Sequence, residues 1–109
     1  MTVGDEVFTA RRGIVISTGT KPAIPDLSGL ESVNYWTTRD VIKLEKLPSS
    51  LTIIGGGPVS CELGQVLSRY GVDIKIVQSR EQLLQREEPE AAETIREIFA
   101  SEGIEVITG

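Results

Sequence analysis

A run of aliphatic residues leads directly into three glycines and a proline near the middle of the chain, as Leu-Thr-Ile-Ile-Gly-Gly-Gly-Pro at residues 51–58. β-Branched residues favour a strand buried in a sheet, and consecutive glycines allow the backbone to turn sharply. Pro58 suits the first position of a helix, because that position needs no backbone N–H donor. The segment therefore predicts a strand, a tight turn and a helix in immediate succession.

The helix predicted after the glycines runs from Pro58 to about Tyr70, where Gly71 can serve as its C-terminal cap. Its apolar spacing puts five side chains on one broad face: Val59, Leu63, Val66, Leu67 and Tyr70. A strand at residues 73–77 follows and completes a strand–helix–strand unit.

A second helix and a further strand extend this unit. The helix begins near Pro89, with an apolar stripe opposite a charged face, and Gly103 ends it before a strand at residues 104–107. Strands that alternate with helices favour a parallel sheet with right-handed crossovers. The predicted fold class is therefore α/β, with a Rossmann-like arrangement.

The N-terminal part of the chain carries weaker signals. The β-branched run at residues 13–17 predicts a short buried strand, and residues 20–32, which show no hydrophobic period, predict an extended connector. Thr37 and Asp40 have the spacing of a capping box, which predicts a short helix that ends before Pro48.

Composition narrows the classes of function. The 109 residues include 16 acidic and 11 basic side chains, so the net charge is −5. A negative charge disfavours binding to nucleic acid or to an anionic membrane surface. No apolar run is long enough to cross a bilayer. The sole cysteine, Cys61, and the absence of histidine disfavour a metal site. We expect one domain, or a large piece of one, that is soluble and cytoplasmic and has no nucleic-acid, membrane or metal partners.

Cys61 stands alone in the first turns of the predicted helix and not in a paired redox motif. Small buried cysteines are common core residues, so we interpret it as structural. The helix start could lower the pKa of its thiol, which leaves adventitious modification open.

The spacing Gly55-x-Gly57-x-x-Ser60 fits a dinucleotide-binding turn except at its last position, where serine replaces the usual glycine or alanine. Gly55 would permit the sharp turn, Gly57 would let a pyrophosphate approach the backbone, and a small residue at position 60 would let the helix pack closely on the strand. The phosphates would meet free N–H groups at the helix start. The predicted contact residues are Gly55, Gly56, Gly57, Pro58, Val59 and Ser60. Alternatively, the glycines serve only the turn.

The end of the next strand, about 20 residues beyond the turn, is where such domains place an acidic side chain that holds the ribose of NAD. This chain has Gln78 there, followed by Ser79 and Arg80. A neutral amide does not repel a 2′-phosphate and an arginine can pair with one, so these residues favour NADPH over NADH. Arg80 is equally compatible with a solvated loop charge.

Several stretches together resemble the pyridine nucleotide-disulphide oxidoreductases, especially the branch of dihydrolipoamide dehydrogenase, glutathione reductase and mercuric reductase. Residues 13–19, with Pro22 and Pro25 behind them, resemble the second flavin-domain motif of that family, with Ser17 in place of alanine. Three other stretches are similar to the mercuric-reductase-like subgroup: residues 35–38, 86–90 and 102–106. The resemblance covers nearly the whole chain.

The resemblance implies two domains. Residues 1–34 would be the end of a flavin-domain portion and its connector, in which Thr18 and Gly19 touch FAD. Residues 35–109 would be a partial NAD(P)-binding βαβαβ core, part of a Rossmann-like FAD/NAD(P)-binding fold whose parallel sheet is incomplete at its C-terminus.

Glu62 is the candidate catalytic residue by the same resemblance, because the glutamate of the family at this place lies near the nicotinamide and pairs with a flavin-domain lysine. The structural alternative is a partly buried helix glutamate held by a neighbouring charge. Pro58 stands where several relatives carry an aromatic residue that gates the nicotinamide pocket, which puts that gate in doubt here.

The resemblance also implies what the chain does. A whole enzyme of this kind is a homodimer that passes a hydride from NAD(P)H to FAD, and then electrons to a disulphide, a metal ion or another acceptor. The first FAD motif, the redox cysteine pair and the dimerisation domain do not occur in these 109 residues, so we expect the segment to bind a nicotinamide dinucleotide without catalysing a reaction alone. The alternatives are a non-catalytic nucleotide-sensing module and a methyltransferase that uses S-adenosylmethionine, which has no pyrophosphate.

Overall fold

The computed structural model describes all 109 residues, and the chain divides into two compact units, Met1–Lys43 and Leu44–Gly109. None of the helices combines the length and the apolar character that a membrane span requires. The assignment of the two parts of the chain to a flavin portion and a nicotinamide portion stays a prediction.

The first unit contains little regular structure. Strands β1 (Thr2–Val3) and β2 (Glu6–Val7) form an antiparallel hairpin, and a single 3-10 turn covers Leu30–Ser32. Helix α1 covers Thr38–Val41.

Helix α1 begins with the predicted capping box. The N–H and the hydroxyl of Thr37 both donate to Oδ2 of Asp40, at 2.7 and 2.8 Å. These two hydrogen bonds satisfy groups that the helix start would otherwise leave unpaired, so the prediction of a short helix here is confirmed.

The strand predicted at residues 13–17 is not formed. Ile14, Val15 and Ile16 are 56%, 93% and 80% exposed, and no neighbouring strand pairs with them. A strand needs a partner backbone for its N–H and carbonyl groups, and the β-branched pattern supplies only the propensity. The prediction was wrong because that partner is not provided by the chain.

Three parallel strands form the sheet of the second unit, in the order β3–β4–β5. They are β3 (Ser50–Ile54), β4 (Asp73–Gln78) and β5 (Glu105–Thr108). Helices α2 (Pro58–Arg69) and α3 (Pro89–Ser101) make the two crossovers. The prediction of an α/β fold with a parallel sheet is confirmed.

Both helices end where glycine allows a left-handed backbone. Gly71, after α2, has a φ of 88°, and Gly103, after α3, has a φ of 78°. Such residues are the common C-terminal caps of helices, so the predicted helix ends are confirmed.

Helix α2 buries only part of the predicted apolar face, because Leu67 is buried and Leu63 is half-buried. It buries Cys61, Gly64 and Leu67. Three residues of the predicted apolar face are instead about half exposed or more: Val59 at 52%, Val66 at 50% and Tyr70 at 75%. The prediction counted apolar side chains, but the small residues at 61 and 64 let the helix backbone approach the sheet closely, and this close approach decides the buried face.

Candidate functional site

The chain leaves β3 through Gly55, whose backbone conformation requires glycine. Its φ of 102° lies in a region that residues with side chains rarely adopt. The N–H of Gly55 donates to the carbonyl of Val77 at 2.8 Å, so the turn starts while the chain is still bonded to β4. The role predicted for Gly55, a sharp turn, agrees with this geometry.

Gly57 has no such requirement. It is the N-cap of α2, with an extended backbone (φ −81°, ψ 177°) that any residue can adopt. A β-carbon added there would meet no atom within 4 Å. Neither a positive φ nor close packing requires a glycine at position 57, so its place as an N-cap is the only local reason for it, and open space lies beside it.

The start of α2 leaves backbone donors free next to that space. Gly57 has no side chain to cap the helix, and Pro58 at the first position has no N–H. The first regular bond runs from the N–H of Cys61 to the carbonyl of Gly57 at 3.0 Å, so the N–H groups of Val59 and Ser60 have no backbone acceptor. They add to the positive end of the helix dipole, an arrangement that suits an anionic group.

Gly56 packs against the loop that follows β4. A β-carbon there would lie 2.7 Å from Cδ2 of Leu83 and 3.2 Å from Cβ and Cγ of Gln78. Its carbonyl accepts a hydrogen bond from the N–H of Leu84 at 2.7 Å. The predicted ligand contact at Gly56 stays a prediction, and the packing role is an addition that the sequence did not suggest.

The structure brings the end of β4 beside the glycine turn, as the predicted site requires. Gln78 is half-buried at the end of β4, with its aliphatic part next to Gly56. Ser79 and Arg80 are exposed, and the Arg80 guanidinium takes part in none of the three ion pairs of the chain. The carbonyl of Arg80 accepts a hydrogen bond from the N–H of Gly109 at 3.1 Å, which ties this loop to the end of β5.

Glu62 is exposed on α2 and forms no ion pair with another side chain of this structure. The alternative of a partly buried glutamate held by a neighbouring charge is therefore wrong. Its position near a nicotinamide stays a prediction.

Cys61 is buried, with 7% of its surface exposed, and its Sγ lies 3.9 Å from the carbonyl oxygen of Gly56. Burial first, and the negative charge of Glu62 second, raise the pKa of the Cys61 thiol. This direction is opposite to the lowering that a helix start can produce.

Thr18 and Gly19, the predicted flavin contacts, lie in the first unit. Both are exposed, and Gly19 has a φ of 74° that favours glycine. Their contact with FAD stays a prediction.

We predicted that a small residue at position 60 lets α2 pack closely on the sheet. In the structure the closest packing is instead at Gly64. A β-carbon on Gly64 would lie 3.2 Å from Cδ1 of Ile76 and 3.3 Å from Cδ1 of Ile53. A glycine inside a helix costs about 1 kcal/mol relative to alanine, so its presence there is a signal of close packing. Ser60 is only half-buried.

The family model described as pyridine nucleotide-disulphide oxidoreductase matches residues 2–109. A mercuric reductase from Lysinibacillus sphaericus is 37% identical over 102 residues, which are 94% of this chain and 18% of that protein. The relative is an oxidoreductase of the subgroup that the resemblance indicated.

Solved structures share the fold. The HOCl-induced flavoprotein disulfide reductase RclA from Escherichia coli superposes with a TM-score of 0.77 at 25% identity, over 84% of this chain and 21% of that one. An engineered water-forming NADPH oxidase bound to NADPH superposes with a TM-score of 0.69 at 20% identity, over 82% of this chain and 21% of that one. These similarities confirm the Rossmann-like fold class.

The chain spans about a fifth of the length of the relatives it matches. The family model nevertheless covers all but the first of its 109 residues. The chain therefore belongs to the pyridine nucleotide-disulphide oxidoreductase family.

Proposed function

We propose that the unit Leu44–Gly109 binds the pyrophosphate of a nicotinamide dinucleotide at the turn from Gly55 to Ser60. The observation that carries this proposal is Gly57, which stands at the start of α2 beside open space although neither its backbone nor its packing requires a glycine. Its backbone is ordinary and its surroundings are empty, so a side chain would fit there in the absence of a ligand. A phosphate at the start of α2 would occupy the same space.

The alternative of a purely structural turn accounts fully for Gly55 and Gly56, but for Gly57 only as one of several residues that can cap a helix start. Gly55 is needed for its positive φ, and Gly56 for its contacts with Leu83 and Gln78. Free N–H groups on Val59 and Ser60 beside Gly57 supply the donors that a phosphate needs. The combination of empty space and free donors favours a bound anion.

NADPH is the proposed cofactor in preference to NADH. Gln78 lies next to the turn and carries no charge that would repel a 2′-phosphate. Arg80, two residues on, has a guanidinium free of intramolecular ion pairs. The fold accommodates either dinucleotide, because the engineered oxidase is bound to NADPH and a water-forming NADH oxidase from Lactobacillus brevis is bound to NADH, so the preference rests on Gln78 and Arg80.

The whole enzyme, in this proposal, transfers a hydride from NAD(P)H to FAD and then reduces a disulphide, a metal ion or another acceptor. In this proposal the second unit binds and orients the nicotinamide, with Glu62 near it. Thr18 and Gly19 of the first unit are proposed to contact FAD. The name of the Lysinibacillus relative, mercuric reductase, favours a metal ion as the acceptor. The 109 residues alone should show no reductase turnover.

Calorimetric titration of the chain with NADPH, NADH and S-adenosylmethionine tests the proposal. We expect binding of NADPH, weaker binding of NADH and no binding of S-adenosylmethionine, because only the dinucleotides have a pyrophosphate. Binding of S-adenosylmethionine alone would support a methyltransferase instead. A chain that binds none of the three would refute a nucleotide site at this turn.

A further inference from the structure

The loop between β4 and α3 is fastened to the glycine turn by two leucines. Leu83 is 1% exposed, and its Cδ2 is one of the atoms that a β-carbon on Gly56 would meet, at 2.7 Å. The N–H of Leu84 donates to the carbonyl of Gly56 at 2.7 Å. An apolar contact and a hydrogen bond therefore join the loop to the middle glycine of the turn.

Leu84 adopts an unusual backbone conformation to make this bond. Its φ of 48° makes it the only non-glycine residue of the chain with a positive φ. Such a conformation persists where the surrounding structure imposes it. Here the N–H of Leu84 is bonded to Gly56, and its carbonyl accepts the N–H of Glu87 at 2.7 Å. These two hydrogen bonds therefore fix the backbone conformation of the loop at Leu84.

The residues proposed to recognise the ribose lie within the same fastened segment. Gln78 contacts Gly56 through its aliphatic carbons, and the Arg80 carbonyl is bonded to the N–H of Gly109. Arg80 is therefore bonded to the end of β5 through its own backbone, and it lies in sequence between two contacts with Gly56, that of Gln78 and that of Leu83 and Leu84. The distance from its backbone to the glycine turn is restrained on both sides.

We propose that Leu83 and Leu84 are positioning residues for cofactor selectivity, which hold Gln78 and Arg80 at a fixed place relative to the pyrophosphate turn. This inference rests on the proposed function. Neither leucine needs to touch the nucleotide. A loosened anchor should weaken the contact with the 2′-phosphate more than the contacts with the pyrophosphate, because the latter come from α2 and the glycine turn itself.

The test compares three variants of the 109-residue chain. Leu83→Ala removes the apolar anchor, Leu83→Met retains its volume, and Leu67→Ala makes the same deletion at a buried position of α2, where 6% of the residue is exposed. Calorimetry gives the dissociation constants for NADPH and NADH. We expect Leu83→Ala to lower the preference for NADPH by about ten-fold, the effect of one charge-assisted contact. Leu83→Met and Leu67→Ala should keep the wild-type ratio.

An unchanged ratio in Leu83→Ala, or an equal change in Leu67→Ala, would overturn the inference and leave nucleotide binding untouched. A wild-type chain that binds no nicotinamide dinucleotide would refute the proposed function and this inference with it. Hydrogen exchange in the wild type gives a second readout should Leu83→Ala fail to fold. The Leu84 amide should be protected like that of Gly55, and further protected by NADPH; free exchange at Leu84 would contradict the anchor.

Discussion

Gly64 of α2 lies against Ile76 of β4 so closely that a β-carbon on the glycine would come 3.2 Å from Cδ1 of the isoleucine. Ile76 is fully buried. This contact sets how near α2 approaches the sheet, and α2 begins at the glycine turn. The position of the free N–H groups at the candidate site therefore depends on a packing contact little more than one helical turn away.

Gly64→Val should destabilise the fold. The extra carbons would have to displace Ile76 and Ile53 in a packed interior, and such overpacking costs about 1–3 kcal/mol. Urea unfolding followed by circular dichroism measures the change. Val66→Ala, at a half-exposed position on the other side of α2, is the matched control and should stay within about 0.5 kcal/mol of wild type. A Gly64→Val variant as stable as wild type would show that the helix can move outward freely.

Gly57→Val should strongly weaken nucleotide binding and keep the fold. Valine can adopt the extended backbone of position 57, and the loss of a glycine N-cap costs about 1 kcal/mol or less. The branched side chain would occupy the space proposed for the phosphates, so we expect the affinity for NADPH to fall by about ten-fold or more. Calorimetry and circular dichroism measure the two properties.

Gly13→Val is the control for this experiment, because a β-carbon at Gly13 also meets no atom within 4 Å. It should leave nucleotide affinity unchanged. If Gly57→Val bound NADPH as tightly as Gly13→Val, the glycines would serve only the turn.

Gln78→Glu should shift the preference of the chain from NADPH towards NADH. The substitution keeps the carbons that pack against Gly56 and adds a charge that repels the 2′-phosphate. A like-charge clash of about 1–3 kcal/mol predicts a change of roughly ten-fold or more in the ratio of the two affinities. Paired titrations with NADPH and NADH measure it, and a change of less than about two-fold would argue against ribose recognition at this strand end.

Arg80→Ala should weaken the binding of NADPH and leave the binding of NADH unchanged. The Arg80 guanidinium is free to pair with the 2′-phosphate, which NADH does not have. Arg86→Ala removes an exposed arginine from the same loop and is the matched control. An equal loss of NADPH affinity in both variants would mean that Arg80 acts only through net charge.

Protonation of Glu102 should lower the free energy of unfolding of the chain at acid pH. This side chain accepts hydrogen bonds from Arg69, at 2.6 and 3.2 Å, and from Gln65 at 3.0 Å, which join α2 to the residue that ends α3. The hydrogen bonds from Arg69 foremost hold the pKa of Glu102 below its ordinary value. A lowered pKa in the folded state means that the stabilisation is complete above the ordinary glutamate pKa and is lost as the pH falls through the lower, folded value.

Glu102→Gln should therefore flatten the acid limb of a stability profile recorded by urea unfolding between about pH 7 and about pH 3. Glu45→Gln, which changes an exposed glutamate outside the three ion pairs, should keep the wild-type slope. Parallel profiles for wild type and Glu102→Gln would exclude this linkage.

Cys61 should react slowly with iodoacetamide in the native protein. The thiol is buried and its pKa is raised, so both access and the fraction of thiolate are reduced. Mass spectrometry should show labelling that is slow without denaturant and rapid in concentrated urea. Equal rates in the two conditions would mean that the helix start opens readily.

The local signals of the sequence were sufficient for the secondary structure of the second unit. The helices begin at proline and end before glycine because each of these residues restricts or extends its own φ angle. The predicted helices therefore match α2, from Pro58 to before Gly71, and α3, from Pro89 to before Gly103. The glycine spacing also predicted where the turn lies, because the requirement for a positive φ at Gly55 is a property of that residue alone.

Tertiary structure decided what depends on neighbours distant in sequence. Residues 13–17 have strand propensity but no partner, and the buried face of α2 follows the close contact of Gly64 with the sheet and not the count of apolar residues. The positive φ of Leu84 accompanies the hydrogen bonds that its N–H and carbonyl make with Gly56 and Glu87, which no local sequence signal indicates. Propensity is encoded residue by residue, whereas burial, pairing and strain are set by the atoms that the folded chain brings together.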